Sequence, residues 1–452
     1  MAAIVTNRFR VTNAENFRQD ISDTDNSVYV FIGKSDPWSS SISELQDTYP
    51  PTPLDNRKDV VETYKNMAAA KIINSSNISH VMPRFDWTSG NSYVAWDDQD
   101  PDIFTKAFYV ITDERKVFKC IKVGPGASTV KPTLTEITPT VVGDGYTWKY
   151  MFTLGVTDSE KFLTNFYSPV KTVLLPASGD VDDLSESDRA QYLNQESAIA
   201  TIGGKIYNAK VQTGGSGYTV APTVTIVGDG YGATATATIT GGGVTGITIT
   251  NSGSAYTIAK IVFSNGGGTG AAAYPIMSPG KGHGADPVAE LGGYFIGINV
   301  RLEYEDGSGD FIVNNEFRQI GLIKNPLNVA GDINTATTFS ALYELHLSAG
   351  TGFVVGDYIT GTTSDAIGYV DSFDAGELII KFHQNNKTGY GTFQPGENIT
   401  GSNSGSGTIL GSNGIVGPEY TPQSGEVLFL ENREPINRSA SQIEDVKIII
   451  EF

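Results

Sequence analysis

Between Gly215 and Ala273 the chain states nearly the same sentence twice. "GSGYTVAPTVTIVGDGYGATA" begins at Gly215 and "GSAYTIAKIVFSNGGGTGAAA" begins at Gly253. Tyr218 matches Tyr256, Val224 matches Val262 and Gly232 matches Gly270, a constant offset of 38 residues. A period of this length marks a supersecondary unit that buries its face against a neighbouring copy. Each copy reads as about three short strands joined by glycine turns, and two copies specify a small paired β module rather than a solenoid. A second self-match follows. "FVVGDYITGTTS" starts at Phe353 and "FQPGENITGSNS" at Phe393, 40 residues on, with the strand-like "GELIIKFHQ" (Gly376–Gln384) between them.

Outside these repeats the composition is ordinary and mixed. "SVYVFIGKS" (Ser27–Ser35) alternates like a strand, and "DVVETYKNMAAAKII" (Asp59–Ile73) carries apolar residues at helical spacing. "FYVITDERKVFKCIKV" (Phe108–Val123) reads as a hairpin around Asp113 and Glu114. "GDGYTWKYMFTL" (Gly143–Leu154) reads as a glycine turn entering an aromatic strand, and "DLSESDRAQYLNQESAIA" (Asp183–Ala200) as a helix with an acidic first turn. The expected architecture is mainly β: a discontinuous body at 1–204, 281–327 and 421–452, interrupted by one module at 205–280 and another at 328–420.

The 452 residues carry 50 acidic against 31 basic side chains, a net charge of −19. Nucleic acid and anionic membrane are therefore not expected partners, because backbone and headgroup phosphates need neutralising Lys and Arg. Cys120 is the only cysteine. No intramolecular disulfide can form, which fits synthesis in a reducing cytoplasm. No apolar leader core stands in residues 1–30, and no segment approaches a membrane span.

Several stretches approach a chemical motif and miss it. "SPGKGHGADP" (Ser278–Pro287) lacks the hydroxyl residue that follows the lysine of a phosphate loop, and His283 with Asp286 makes too few ligands for zinc. It reads as a glycine hinge where the first module ends. "FIGKS" (Phe31–Ser35) has Val28 where the first phosphate-loop glycine belongs. "WDDQDPD" (Trp96–Asp102) lacks the glycine and terminal glutamate of a calcium loop and reads as a solvated acidic turn. "EDGSGD" (Glu305–Asp310) reads as a hairpin turn. No G-x-S-x-G elbow is present, and His80, His283, His346 and His383 stand in dissimilar contexts. Cys120, in the alternating "KVFKCIKV", reads as a buried strand residue. These readings predict a chain that is not an enzyme and uses no cofactor and no metal.

Seven segments occur in a fixed order along the body: "AIVTNRFR" (Ala3–Arg10), "GKSDPWSS" (Gly33–Ser40), "MPRFDW" (Met82–Trp87), "GDGYTWKYMF" (Gly143–Phe152), "FRQIGLIKNPL" (Phe317–Leu327), "SGEVLFLENREPI" (Ser424–Ile436) and the closing "VKIIIEF". Taken together they resemble the baseplate wedge subunits of T-even-like contractile-tailed phages, the gene product 8 family. The two repeat modules have no counterpart in the short form of that family. The resemblance implies a β-sandwich body and a homodimer. It implies a virion structural role in the tail baseplate, in contact with other wedge proteins, with two copies entering each of six wedges. Within the motifs, Trp38, Trp87 and Trp148 are expected to anchor the core, and Gly143 and Gly145 to form the turn before Tyr146. Arg84, Phe317, Arg318, Asn325 and Pro326 are structural candidates. Glu431, Asn432 and Arg433 are interface candidates, Arg433 lying between two glutamates either as an ion-pair cluster, inside the fold or across a dimer contact, or as a solvated charge cluster. The alternative from another class is a glycan-binding or glycan-degrading tail protein, which a groove lined by tyrosines and paired carboxylates would favour.

Overall fold

A computed structural model describes residues 4–38, 47–199, 204–304, 309–440 and 442–452. The fold is mainly β, with 42% of residues in strands and 14% in helices. The chain forms two compact units. One comprises residues 1–15, 79–297 and 449–452, and the other residues 16–78 and 298–448. Each unit contains one of the two repeat regions.

In the first unit, strands Tyr109–Ile111, Lys116–Lys122, Thr147–Thr153 and Thr140–Val141 form an antiparallel sheet in that order. Gly145 sits at φ +86°, a conformation that favours glycine, and turns the chain into Thr147–Thr153. The sheet is buried on both faces. Val117, Met151 and Phe152 join Val81, Met82, Tyr109, Val170 and Phe295 in one apolar cluster, while Phe118, Cys120, Tyr146, Trp148 and Tyr150 join Tyr93 and Val110 in another. Helix Glu186–Ile199 continues this unit, as the acidic N-terminal turn predicts.

The first repeat contributes six strands, three per copy. Ile206–Ser216 pairs with Thr269–Met277, and Gly243–Ser254, Tyr231–Thr240, Thr223–Gly228 and Ala259–Ser264 form a four-stranded sheet. The copies are joined reciprocally. A Cβ on Gly230 would lie 2.4 Å from the Tyr256 ring, and one on Gly268 would lie 2.5 Å from the Tyr218 ring. Each tyrosine is thus seated on the glycine of the other copy.

In the second unit, Val28–Gly33 lies at the centre of a five-stranded antiparallel sheet, between Met67–Ile73 and Asn315–Lys324. Thr338–Ser340 and Glu426–Arg438 are its edges. The helix expected over Asp59–Ile73 ends early. It runs Arg57–Asn66, capped by the Asn56 side chain, which accepts the Asp59 N–H at 3.0 Å. Met67–Ile73 is a strand instead. It is hydrogen-bonded on both sides, to Val28–Gly33 and Thr338–Ser340, and this pairing overrides the helix propensity of its alanines.

The second repeat closes into a barrel. Strands Ile379–His383, Ile367–Asp374, Tyr358–Gly361, Asn398–Gly401, Ser406–Ile409 and Tyr343–Thr351 pair in that order. Tyr343–Thr351 also pairs with Ile379–His383, which completes the ring. Closure leaves the barrel strands without a free edge. Leu345, Phe353, Ile359, Val370, Ile380, Phe393, Ile399 and Ile409 fill it. Here too the copies clasp one another. Asp357 accepts hydrogen bonds from Ser402 (3.1 Å) and Asn403 (2.6 Å), and its repeat-mate Glu397 accepts from the N–H groups of Thr363 and Ser364, both at 3.0 Å.

Candidate functional site

The stretch Ser278–Pro287 is not the open hinge its glycines suggested. Gly282, His283, Gly284 and Ala285 are buried, and the loop folds over one carboxylate. Glu290 Oε1 accepts the N–H groups of Gly284 at 2.8 Å and Asp286 at 3.2 Å, while Oε2 pairs with Lys119 Nζ at 2.9 Å. Lys119 is fully buried and lies 3.8 Å over the Trp96 ring, a cation–π contact. Burial opposes the ionisation of Glu290, but the Lys119 charge outweighs it and holds the carboxyl down at about 2. His283 Nδ1 stands 3.8 Å from Glu290, beyond hydrogen-bond reach, and has no partner among the described residues. Burial and the adjacent Lys119 charge push His283 down to about 4, so it is neutral.

"WDDQDPD" differs from expectation in the same unit. Asp97 is buried and accepts from Tyr274 Oη at 2.7 Å and Lys210 Nζ at 3.2 Å, and Asp98 accepts the Met277 N–H at 2.9 Å. The run is a docking point for the base of the first repeat, not a solvated turn. Cys120 is buried as expected, and burial pushes its thiol far above the ordinary range.

The second unit has its own ionic cluster, around "FIGKS". No helix opens over residues 35–38. Lys34, Ser35 and Asp36 are buried, and Lys34 Nζ pairs with Asp36 at 2.5 Å. His383 lies between two carboxylates. Its Nδ1 bonds Asp371 at 2.8 Å, and its Nε2 stands 3.4 Å from Asp36 and 3.2 Å from Asn385 Nδ2. Lys387 reaches the other Asp36 oxygen at 2.7 Å. Burial alone would depress His383, but Asp371 and Asp36 outweigh it and raise the imidazole to about 9. Burial likewise opposes the charge on Asp36, and His383, Lys34 and Lys387 more than offset it, holding the carboxyl below the usual range.

Ser35, Asp371 and His383 are the residue types of a hydrolytic triad in an arrangement that cannot act as one. Ser35 Oγ donates to Asp371, not to the imidazole. The aspartate therefore stands between hydroxyl and base, where the triad needs the histidine. Asp36 and Asp371 are 1% and 0% exposed, so this carboxylate pair does not line a groove. Among the described residues no cluster of three or more His, Cys, Asp or Glu is placed to hold a metal ion.

The motif residues distribute as follows. Trp148 is buried and stacked on Tyr146 at 5.7 Å, in the core. Trp87 is half-buried at the margin of that cluster and donates to Ser128 Oγ at 3.2 Å. Trp38 is half-buried and donates to the Arg433 carbonyl at 3.3 Å. Arg84 bonds Asp86 and the Thr164 carbonyl. Gly143 lies exposed at the start of the turn that Gly145 completes. Phe317 and Pro326 are buried. Arg318 is buried with a bidentate pair to Asp47, and it also bonds Glu316 and the Ser35 carbonyl. Asn325, at φ +51°, accepts the Ser27 N–H at 2.8 Å. On the edge strand, Arg433 pairs with Glu431 at 3.0 Å with both side chains about 40% exposed. Asn432 ties to Gln319 and to the Pro51 carbonyl. Of the turn at Glu305–Asp310, residues 305–308 lie outside those described, as do Ala3, Ser39, Ser40 and Ala200 of the quoted segments.

The charged residues that organise both interiors, Lys119, Glu290, Asp36, Asp371 and His383, are not among the motif candidates. A lone lysine in an alternating strand or a histidine beside a turn carries no local mark of burial.

The geometry defines two β-rich units whose charged clusters are shut from solvent. Comparison with known proteins bears on the N-terminal part of the chain. Residues 3–123 match the family described as Bacteriophage T4, Gp8. The baseplate wedge protein gp8 of Enterobacteria phage T4 is 27% identical over 205 residues, covering 36% of this chain and 59% of that protein. The family resemblance is thereby shown over residues 3–123, which hold the first three of the seven motifs. The match extends over about three-fifths of the relative's own length.

Proposed function

We propose that the chain is a structural subunit of a phage tail baseplate wedge, located in the virion. It is a homodimer that joins neighbouring wedge proteins during baseplate assembly and the rearrangement on host attachment. The observation that carries this reading is the family match over 3–123 together with the similarity to a protein named as a baseplate wedge protein. Supporting it, Glu290, Asp36, Asp371 and His383 are committed to ion pairs and hydrogen bonds that hold the fold, so they are not free for acid–base chemistry on a ligand. Glu426–Arg438 supports the contact role. It is a long strand at the edge of its sheet, and such edges are natural sites for pairing or docking with another chain. Arg433 and Glu431 present a half-exposed ion pair on it.

Two measurements test the reading. Cryo-EM of the intact particle should place this chain in the baseplate, and density for it only elsewhere would refute the role. Light scattering of the purified chain should give a dimer at micromolar concentration, and a monomer would refute that part. Arg433→Glu should weaken the dimer if the Glu426–Arg438 edge lies within its contact.

A further inference from the structure

Lys119 and Lys149 stand directly opposite each other on adjacent antiparallel strands. They are 0% and 2% exposed. Like charges in register repel, and a buried ammonium is tolerated only with compensation. Glu290 compensates Lys119. One of its oxygens is taken by that lysine at 2.9 Å and the other by the N–H groups of Gly284 and Asp286. Lys149 has only neutral oxygen partners, Asn194 Oδ1 and the Ile137 carbonyl, and forms no ion pair among the described residues. Asn194 is itself fixed, since its Nδ2 donates to the carbonyls of Tyr150 and Met151, both at 3.0 Å. Its Oδ1 therefore holds the ammonium in place, and beyond these two oxygens no acceptor meets Lys149 Nζ among the described residues. Two cations and one carboxylate remain, with His283 neutral. Glu290 acts on both ammonium charges but pairs directly only with Lys119, so one carboxylate serves two buried cations.

Beside that charge lies a cavity of about 60 Å³, lined by Lys149, Lys205, Tyr207, Ser197, Ser278 and His283 among others. Among the described residues no lining side chain is acidic. The walls offer ammonium, hydroxyl and imidazole donors. A space of this size admits a small ion with a water or two, and excludes a sugar or a nucleotide. We propose that this cavity binds one small inorganic anion of chloride size, held by Lys149 Nζ as the direct ion-pair partner that Glu290, bonded to Lys119, does not provide. The site is independent of the baseplate reading. Its role is to complete the interior in which the strand Thr147–Thr153, the helix Glu186–Ile199 and the loop Ser278–Pro287 meet. Burial lowers Lys149 to about 8 in the protein alone, the direction expected of an ammonium without a full partner.

The test is thermal melting of the full-length chain at constant ionic strength, replacing sodium gluconate, whose anion is too large for the cavity, with sodium chloride. A ligand bound only by the native state raises the transition. Chloride should produce a saturable rise of about 2 °C or more, and Lys149→Met should abolish it. No rise in the parent chain, or an equal rise in the variant, would overturn the proposal. Should Lys149→Met fail to fold, crystals of the parent chain soaked in bromide decide the matter. An anomalous peak within hydrogen-bond distance of Lys149 Nζ is expected, and a bromide-soaked crystal without one refutes the site.

Discussion

His283 and His383 occupy comparably buried positions and respond oppositely to pH. His283 is buried beside the Lys119 charge, so its folded value, about 4, lies below the ordinary 6.5. The unfolded chain binds that proton more readily, and the contribution of His283 is present above pH ~6.5 and lost as pH falls towards 4. His383 lies between two carboxylates and is raised to about 9. Its contribution is complete below pH ~6.5 and lost as pH rises through 9. Hydrogen exchange followed by mass spectrometry should therefore show opposite limbs. Peptides of 79–297 should lose protection first on mild acidification, and peptides of 298–448 first between pH 7 and 9.5. His383→Gln should flatten the alkaline limb, and an unchanged profile would contradict the assignment.

The Lys119–Glu290 pair gives a second expectation at the same scale. Glu290→Gln leaves a buried ammonium uncompensated and should cost about 3–5 kcal/mol, read as a lowered melting transition of the first unit. Lys119→Met combined with Glu290→Gln should recover part of that loss, because residue 119 then carries no ammonium to be left unpaired.

Elements show how far local sequence reaches. The β character of both repeats was legible because self-similarity fixes the unit and glycines mark its turns, although in the second only the strand within Gly376–Gln384 was read individually. The aromatic strand after Gly145, the hairpin around Asp113 and the helix ending at Ile199 were legible from alternation, turn residues and spacing. Met67–Ile73 was not, since its alanines favour a helix and only pairing with strands distant in sequence makes it extended. Ser278–Pro287 was misread for a related reason. Glycine reports freedom where the surroundings are open and close packing where they are crowded, and the crowding comes from Glu290 and Asn194. The barrel's reciprocal clasp was also invisible, although its two carboxylates occupy matched positions in the repeat. Glu397→Ala should accordingly raise amide exchange at Thr363 and Ser364, in the other copy, by tenfold or more. That corresponds to at least about 1.4 kcal/mol, within the range for hydrogen bonds to a charged acceptor. Exchange raised only around residue 397 would show that the copies do not support one another.

At the scale of the whole molecule, the first repeat has a distal part and a docked base. Thr213 and Ala272 are partners across its two-stranded stem. Removing residues 214–271 and joining this pair by an Asn-Gly turn should leave the melting of the first unit within about 2 °C of the parent. Removing 205–278 is a different operation. It strips Asp97 of both Lys210 and Tyr274 and deprives the Trp96 indole of the Met277 carbonyl, which it meets at 3.1 Å. This longer cut should lower the transition by several degrees. Equal behaviour of the two deletions would mean that the Asp97 contacts contribute nothing.

The first unit takes its closing residues, 449–452, from beyond the whole of 298–448. Arg10 donates to the Phe452 carbonyl and pairs with Glu451, and Ile449 packs against the cluster that holds Val11 and Met82. During translation, residues 1–297 emerge long before these partners exist, so the first unit waits unfinished while the second is being made. A message cut short, or a ribosome stalled anywhere before codon 449, releases a chain whose earliest-made part is still open. Closure of the first unit is thereby conditional on residues that are made only after the whole of 298–448.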